Sequence, residues 1–258
     1  MAGPARAPRP HAAVNPPHAT TPRTTALRRA YTLMRRRHGH LAWWPGDTPF
    51  EVCIGAILTQ NTAWTNVERA IANLKRADVL EPHRLLALPE ADLAQLIRPA
   101  GYFNVKARRL RAFVEILARE FNGDLTALMR GDTASVRERL LAIHGIGPET
   151  ADSMLLYAGD HSSFVIDAYT RRIFSRHGWC APDASYDELK ALCEFSLAQK
   201  PAAERLDYWQ DYHAQLVQTA KDFCRAHNPR CAECPLNSLL PNGAPKCVVL
   251  KPNSKPQT

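Results

Sequence analysis

The first 46 residues contain no aspartate and no glutamate, although eight arginines fall among them. The rest of the chain holds 25 basic and 25 acidic residues, so the net charge of +8 belongs to the leading segment. The body is balanced, and overall basicity is no argument for a nucleic-acid partner; local patches and motifs must carry that case. No apolar run approaches the about 18 residues that a membrane span requires, so no transmembrane helix is expected. No secretory apolar region opens the chain, which makes a disulfide framework a poor use for its seven cysteines.

What is present is mostly helical pattern. Residues 1–24 carry six prolines and little to bury, and read as a disordered basic tail. An acid-free, arginine-containing start also suits an organelle transit peptide, but the prolines oppose the amphipathic helix it would need. From Thr25 on, apolar residues recur at helical spacing: Leu27, Tyr31 and Met34; Val67, Ile71 and Leu74; Leu110, Val114 and Leu117. Segments 133–145 and 148–159 read as two helices joined by a glycine hairpin, and a long helix is expected in the region 203–225. Only "SSFVI" hints at a strand, so the expected class is all-α.

Three features carry chemistry. In "HGIGPETA", Gly145 and Gly147 permit a tight turn, and Pro148 suits a first helical position, where its missing N–H costs nothing. The free N–H groups and positive helix end then favour a phosphate oxygen, although an ordinary turn between helices has the same look. Asp167, in the apolar setting "FVIDAY", is placed to cap the next helix and to present a fixed carboxylate. Cys224, Cys231, Cys234 and Cys247 crowd at spacings of six, two and twelve, which points to a metal or cluster site.

Together with "PFEVCIGAILTQNT", "GYFNVKARRL" and "VIDAYTRRIFSR", these features resemble the helix-hairpin-helix DNA glycosylases of the endonuclease III superfamily, over about Pro49 to Cys247. The 3-methyladenine DNA glycosylase III branch is the nearest match. The resemblance implies two helical domains: 47–164, a barrel ending in the hairpin, and 25–46 with 165–250, bearing a [4Fe-4S] cluster. Damaged double-stranded DNA would lie across the cleft between them, and residues 251–258 would form a second tail. A monomer is expected, in the cytoplasm with the nucleoid rather than in an organelle.

The resemblance also assigns roles. Asp167 matches the catalytic aspartate, which stabilises the charge that builds on the sugar and steers a water. Glu149 stands where strand-cutting relatives carry a lysine that attacks the sugar, and an acid cannot form that Schiff base. A monofunctional glycosylase follows. Trp43, Trp44 and Trp64 match places where aromatic rings sandwich a flipped base, which suits a cationic alkylated purine. Gln60 matches the residue that fills the gap left in the duplex. Gly145, Ile146, Gly147 and Thr150, with Lys106 and Arg171, are candidates for phosphate contacts, though solvated helix faces are an equal reading for the charged ones. Four thiolates of Cys224, Cys231, Cys234 and Cys247 would hold the cluster. The relatives' last spacer is five rather than twelve, so Cys247 is the ligand in question, and zinc is the competing metal. Thymine or uracil mismatches, oxidised pyrimidines, and lesion binding without catalysis are the competing functions.

Overall fold

The computed structural model describes residues 21–42 and 46–246. Trp43, Trp44 and Cys247, all assigned roles above, lie outside the described residues, as do the tails at 1–20 and 247–258. The described chain is a succession of twelve α-helices with short 3-10 turns and no strand. In order they are α1 (Pro22–His38), α2 (Pro49–Leu58), α3 (Trp64–Arg76), α4 (Pro82–Ala87), α5 (Glu90–Leu96) and α6 (Phe103–Phe121). They continue as α7 (Leu125–Leu128), α8 (Thr133–Leu141), α9 (Pro148–Ala158), α10 (Ala168–His177), α11 (Tyr186–Ser196) and α12 (Ala202–Asp222). None is long and apolar enough to cross a membrane.

Local chemistry sets the helix starts. Thr21 and Thr48 cap α1 and α2 with their hydroxyls, each followed by proline at the first helical position. Ser185 and Glu188 form a reciprocal capping box at α11. Gly178, in the left-handed region at φ 68°, ends α10.

The apolar side chains form two clusters. One gathers α2 to α9 around Ile54, Leu74, Phe113 and Leu155. The other joins α1 to α10, α11 and α12 around Leu27, Phe174, Trp209 and Tyr212. Helix α9 contributes to both, through Met154 and Leu155 on one side and Leu156 and Tyr157 on the other. Helix α2, which packs along α9, likewise turns Val52 to the second cluster. The glycine hairpin therefore opens from a helix that sits on the seam.

The suspected strand at "SSFVI" is instead a buried extended connection between α9 and α10. Its backbone is satisfied by side chains: Phe164 N–H donates to Glu194 Oε1 (3.0 Å) and Ile166 N–H to the Tyr186 hydroxyl (3.4 Å). Beneath it Asp152, fully buried, accepts from Arg137 Nε (2.9 Å), Ser163 (2.6 Å) and Tyr186 (2.8 Å). That carboxylate links α8, α9, the connection and α11, so the hairpin and the start of α10 are held relative to one another. A buried charge with this many partners is expensive to expose, at about 3–5 kcal/mol if one partner is removed.

Candidate active site

The connection ends at Asp167, which caps α10. Its Oδ1 accepts from Thr170 N–H (2.7 Å), and its Oδ2 lies 3.5 Å from His213 Nε2 on α12. The side chain is 13% exposed. Burial alone would raise its pKa, but the His213 contact and the Thr170 N–H outweigh that and hold it below the ordinary aspartate range. Asp167 is therefore an ionised carboxylate, largely shielded, with one edge reaching the surface.

Facing it on the first turn of α9 is Glu149. Crowding by the protein and the neighbouring Asp167 charge push its pKa up to about 7, against the pull of Arg171. Its side chain still reaches solvent, so water screens part of this effect. The site thus holds two carboxyl groups in different states near neutrality, Asp167 ionised and Glu149 half protonated.

The hairpin is built as expected. Gly145 takes φ 86°, a left-handed value costly for other residues, and a Cβ there would collide with Arg109 Cγ. Ile143 and Ile146 point inward and anchor the turn. Gly147 caps α9 in an extended conformation, with open space where a Cβ would stand. The N–H groups of Gly145 and Gly147 make no hydrogen bond among the described residues, which leaves them to an external acceptor. Thr150 is different: its hydroxyl is buried and accepts from Gln60 Nε2 (3.0 Å), so its side chain does not face an outside phosphate.

Gln60 follows α2 and leans on the hairpin. Its amide nitrogen donates to Gly145 O (3.0 Å) as well as to Thr150, and its carbonyl accepts from Arg109. The hairpin and the expected DNA-gap residue therefore form one hydrogen-bonded unit. Arg109 was not singled out by sequence. Its signal was only its place one turn beyond Lys106 in "NVKARRLR".

One charged candidate needs correction, and a second is partly engaged within the protein. Lys106 is no surface phosphate contact: it is 2% exposed, and Nζ donates to Leu58 O (2.8 Å) and Ala100 O (2.7 Å). Desolvation and the charge of Arg109 lower its pKa to about 8. It satisfies carbonyls at the end of α2 and ahead of α6, where helix ends leave acceptors unpaired. Arg171 donates to Ala184 O and so anchors the loop before α11, while its charge still reaches Glu149. Trp64, half-buried, lays its ring against Gly55 on α2, within the packing of the first cluster.

Cys224, Cys231 and Cys234 line one shallow pocket with Ile173, Phe223, Leu236 and Arg176. Among the described residues no three His, Cys, Asp or Glu side chains are grouped closely enough to hold a metal ion. The chemistry of the lining nevertheless suits a thiolate-bound group. Arg176 donates to Cys224 Sγ (3.3 Å), and apolar walls surround the thiols. Burial pushes the Cys234 thiol up to about 11, a state that a bound metal would reverse by deprotonating it.

Comparison with known proteins agrees with this architecture. Residues 54–199 match the family model described as HhH-GPD superfamily base excision DNA repair protein. The chain is 46% identical over 210 residues to a protein of Methanocaldococcus jannaschii named "Putative DNA repair glycosylase MJ1434", covering 81% of this chain and 93% of that one. It is 27% identical to endonuclease III of Thermotoga maritima, covering 72% and 79%. Among solved structures, a trapped endonuclease III–DNA covalent intermediate superposes with a TM-score of 0.72 at 24% identity, covering 85% and 96%. The H. pylori 3-methyladenine DNA glycosylase bound to 1,N6-ethenoadenine gives 0.64 at 26%, covering 77% and 97%. With its hairpin, its capping aspartate and these matches, the chain belongs to the HhH-GPD superfamily of base excision DNA repair proteins, the endonuclease III superfamily, as a DNA glycosylase.

Proposed function

We propose that the protein is a monofunctional glycosylase that hydrolyses the N-glycosidic bond of flipped-out alkylated purines, and leaves the abasic site intact. The observation that carries the reading is Glu149 on the turn that faces Asp167. Neither lysine in the neighbourhood is a replacement nucleophile: Lys106 is sealed under two carbonyls, and Lys190 is tied to Asp152, Ser163 and Glu194.

The residues support a simple sequence of events. The free N–H groups of the hairpin grip a phosphate, and Gln60 gives up its contacts with Gly145 and Thr150 to enter the vacated stack. The C1′–N bond breaks with its electron pair leaving on the base, and an N-alkylated purine departs neutral. Asp167 stabilises the positive sugar, water bonds to C1′, and the water proton passes toward the Asp167 carboxylate. Trp64, with Trp44 and Trp43, is assigned to the base pocket on its sequence place. Likeness to a 3-methyladenine glycosylase supports the substrate class. Cys224, Cys231 and Cys234, with Cys247 as fourth ligand, would hold a [4Fe-4S] cluster. Bound there, it supplies a rigid cross-link behind α10 and no hydrolytic chemistry.

The test is a lesion panel on duplex DNA. Alkylated purine should be released as free base, nicking should need added alkali, and borohydride should trap no covalent complex. Asp167→Asn should lower release by about two to four orders of magnitude, while asparagine still caps α10 and keeps the fold. Release of thymine or uracil opposite guanine would transfer the site to mismatch repair. A borohydride-trapped complex would refute the monofunctional reading.

A further inference from the structure

Asp167 does not stand alone on its buried side. His213, on α12, is buried between it and Tyr157 of α9: Nε2 lies 3.5 Å from Asp167 Oδ2, and Nδ1 lies 2.6 Å from the Tyr157 hydroxyl. The Tyr157 oxygen has a second neighbour, Gln210 O, at 3.3 Å. The shorter contact decides the arrangement. With the tyrosine donating to Nδ1, the ring carries its proton on Nε2 and aims it at the carboxylate. In a neutral ring the reverse, with Tyr157 donating to Gln210 O, would turn a lone pair toward an anion. Three helices thus converge on one carboxyl group, α9 through Tyr157, α12 through His213, and α10 through the Thr170 N–H on the other oxygen.

We propose that His213 is the positioning residue of the catalytic aspartate, donating Nε2–H to Asp167 Oδ2 while Tyr157 fixes the ring's tautomer. Both oxygens of the carboxylate are then tethered on the protein side, and their free lone pairs face the cleft. The separation is at the outer limit of a hydrogen bond, and catalytic contacts of this length tighten as substrate closes the site. The charged and titratable groups around the pair are Glu149 and Tyr157 from α9, Arg171 from α10, and Asp211 from α12. None of them replaces the donor: two are acids, Tyr157 is spent on His213, and Arg171 is held by Ala184 O.

The inference rests on Asp167 being the essential carboxylate, and its primary readout needs no substrate. In the full-chain protein, the carbon-13 carboxyl titration of Asp167, assigned by its loss in Asp167→Asn, reports the donor directly. His213→Gln can place its amide N–H where Nε2 stood and should keep the wild-type midpoint. His213→Asn is too short and should raise the midpoint by about one unit. The acid limb of base release should move up by the same amount, with kcat unchanged at neutral pH, a loss approaching about tenfold only at pH values below the wild-type midpoint, and an unchanged KM. Nitrogen-15 spectra of the wild-type His213 ring, which need no variant to fold, should show Nε2 protonated and Nδ1 accepting. The opposite tautomer, or equal midpoints in wild type and His213→Asn, would overturn the proposal. If the titrations come out as expected while no lesion is excised, the positioning role stands and the proposed substrate class falls.

Discussion

At the scale of single residues, the candidate site pairs two acids whose environments differ. Glu149 gains an anionic charge as pH rises through about 7, and it does so on the helix turn beside the hairpin that is to meet a phosphate. The sign is fixed by the direction of the shift: with a raised pKa, the neutral form dominates below 7 and the anion above it. Affinity for duplex DNA should therefore decline between pH 6 and 8, by roughly the several-fold expected of one added like charge near the backbone. Glu149→Gln should flatten that decline and bind more tightly at pH 8, as fluorescence anisotropy at fixed ionic strength would measure. A decline of equal size in the variant would place its origin elsewhere. Asp167 and Glu149 could be found in the sequence because each falls at a place that the resemblance to the endonuclease III superfamily marks, beside or after the glycine hairpin. His213 could not. It lies in a long helix of mixed polarity, and only the arrival of α10 beside α12 gives it a role.

At the scale of elements, the hairpin offers a paired test of structure against contact. Gly145 needs its positive φ and leaves no room for a Cβ against Arg109, whereas Gly147 has an ordinary φ of −93° and open space. Gly145→Ala should lower stability by about 1–2 kcal/mol from backbone strain alone, and should also disturb the Arg109–Gln60 contact. Gly147→Ala should leave the unfolding midpoint unchanged and weaken DNA binding, because its methyl group would project where a phosphate approaches. Equal stability of the two variants would contradict this division. Lys106 teaches a related lesson. It lies four residues before Leu110 and seven before Phe113, on the buried stripe of α6, so the periodicity that located the helix also placed this lysine inward. What sequence did not supply was the acceptor pair, since Leu58 and Ala100 reach it from other segments. A lysine with its pKa lowered to about 8 binds fewer protons folded than unfolded between pH 8 and the ordinary lysine range. Wild-type stability should therefore rise with pH across that window relative to Lys106→Met, by up to a few kcal/mol. Denaturant unfolding at pH 7.5 and 9.5 would read the difference.

At the scale of the whole molecule, helix α10 joins the chemistry to the cysteine pocket. Its N-terminus presents Asp167, and its later turns hold the loop: Arg172 Nε donates to Cys224 O (2.7 Å), and Arg176 donates to Arg225 O (2.6 Å) and Ala226 O (3.0 Å). The helices were legible from periodicity and caps. That one of them spans both regions was not, because the cysteines stand more than fifty residues after Asp167 in the chain. These arginine contacts go to backbone carbonyls and do not depend on a bound cluster, and the loop is closed further by Arg230 N–H donating to Phe223 O (2.8 Å) and by the Asn237 amide donating to Cys231 O (2.8 Å). On the proposed cluster, Cys224→Ser should lose iron and lower the unfolding midpoint by several degrees, as removal of a cross-linking metal does. It should weaken DNA binding through the loosened loop, yet leave Asp167 in place on the Asp152 and α12 side. The single-turnover rate of base release at saturating protein should then stay within about threefold of wild type, while the protein concentration needed for half-saturation rises. A rate constant reduced as far as in Asp167→Asn would show that the cluster reaches into the chemistry, and α10 would have to be read as transmitting the state of the loop to the carboxylate rather than merely carrying both.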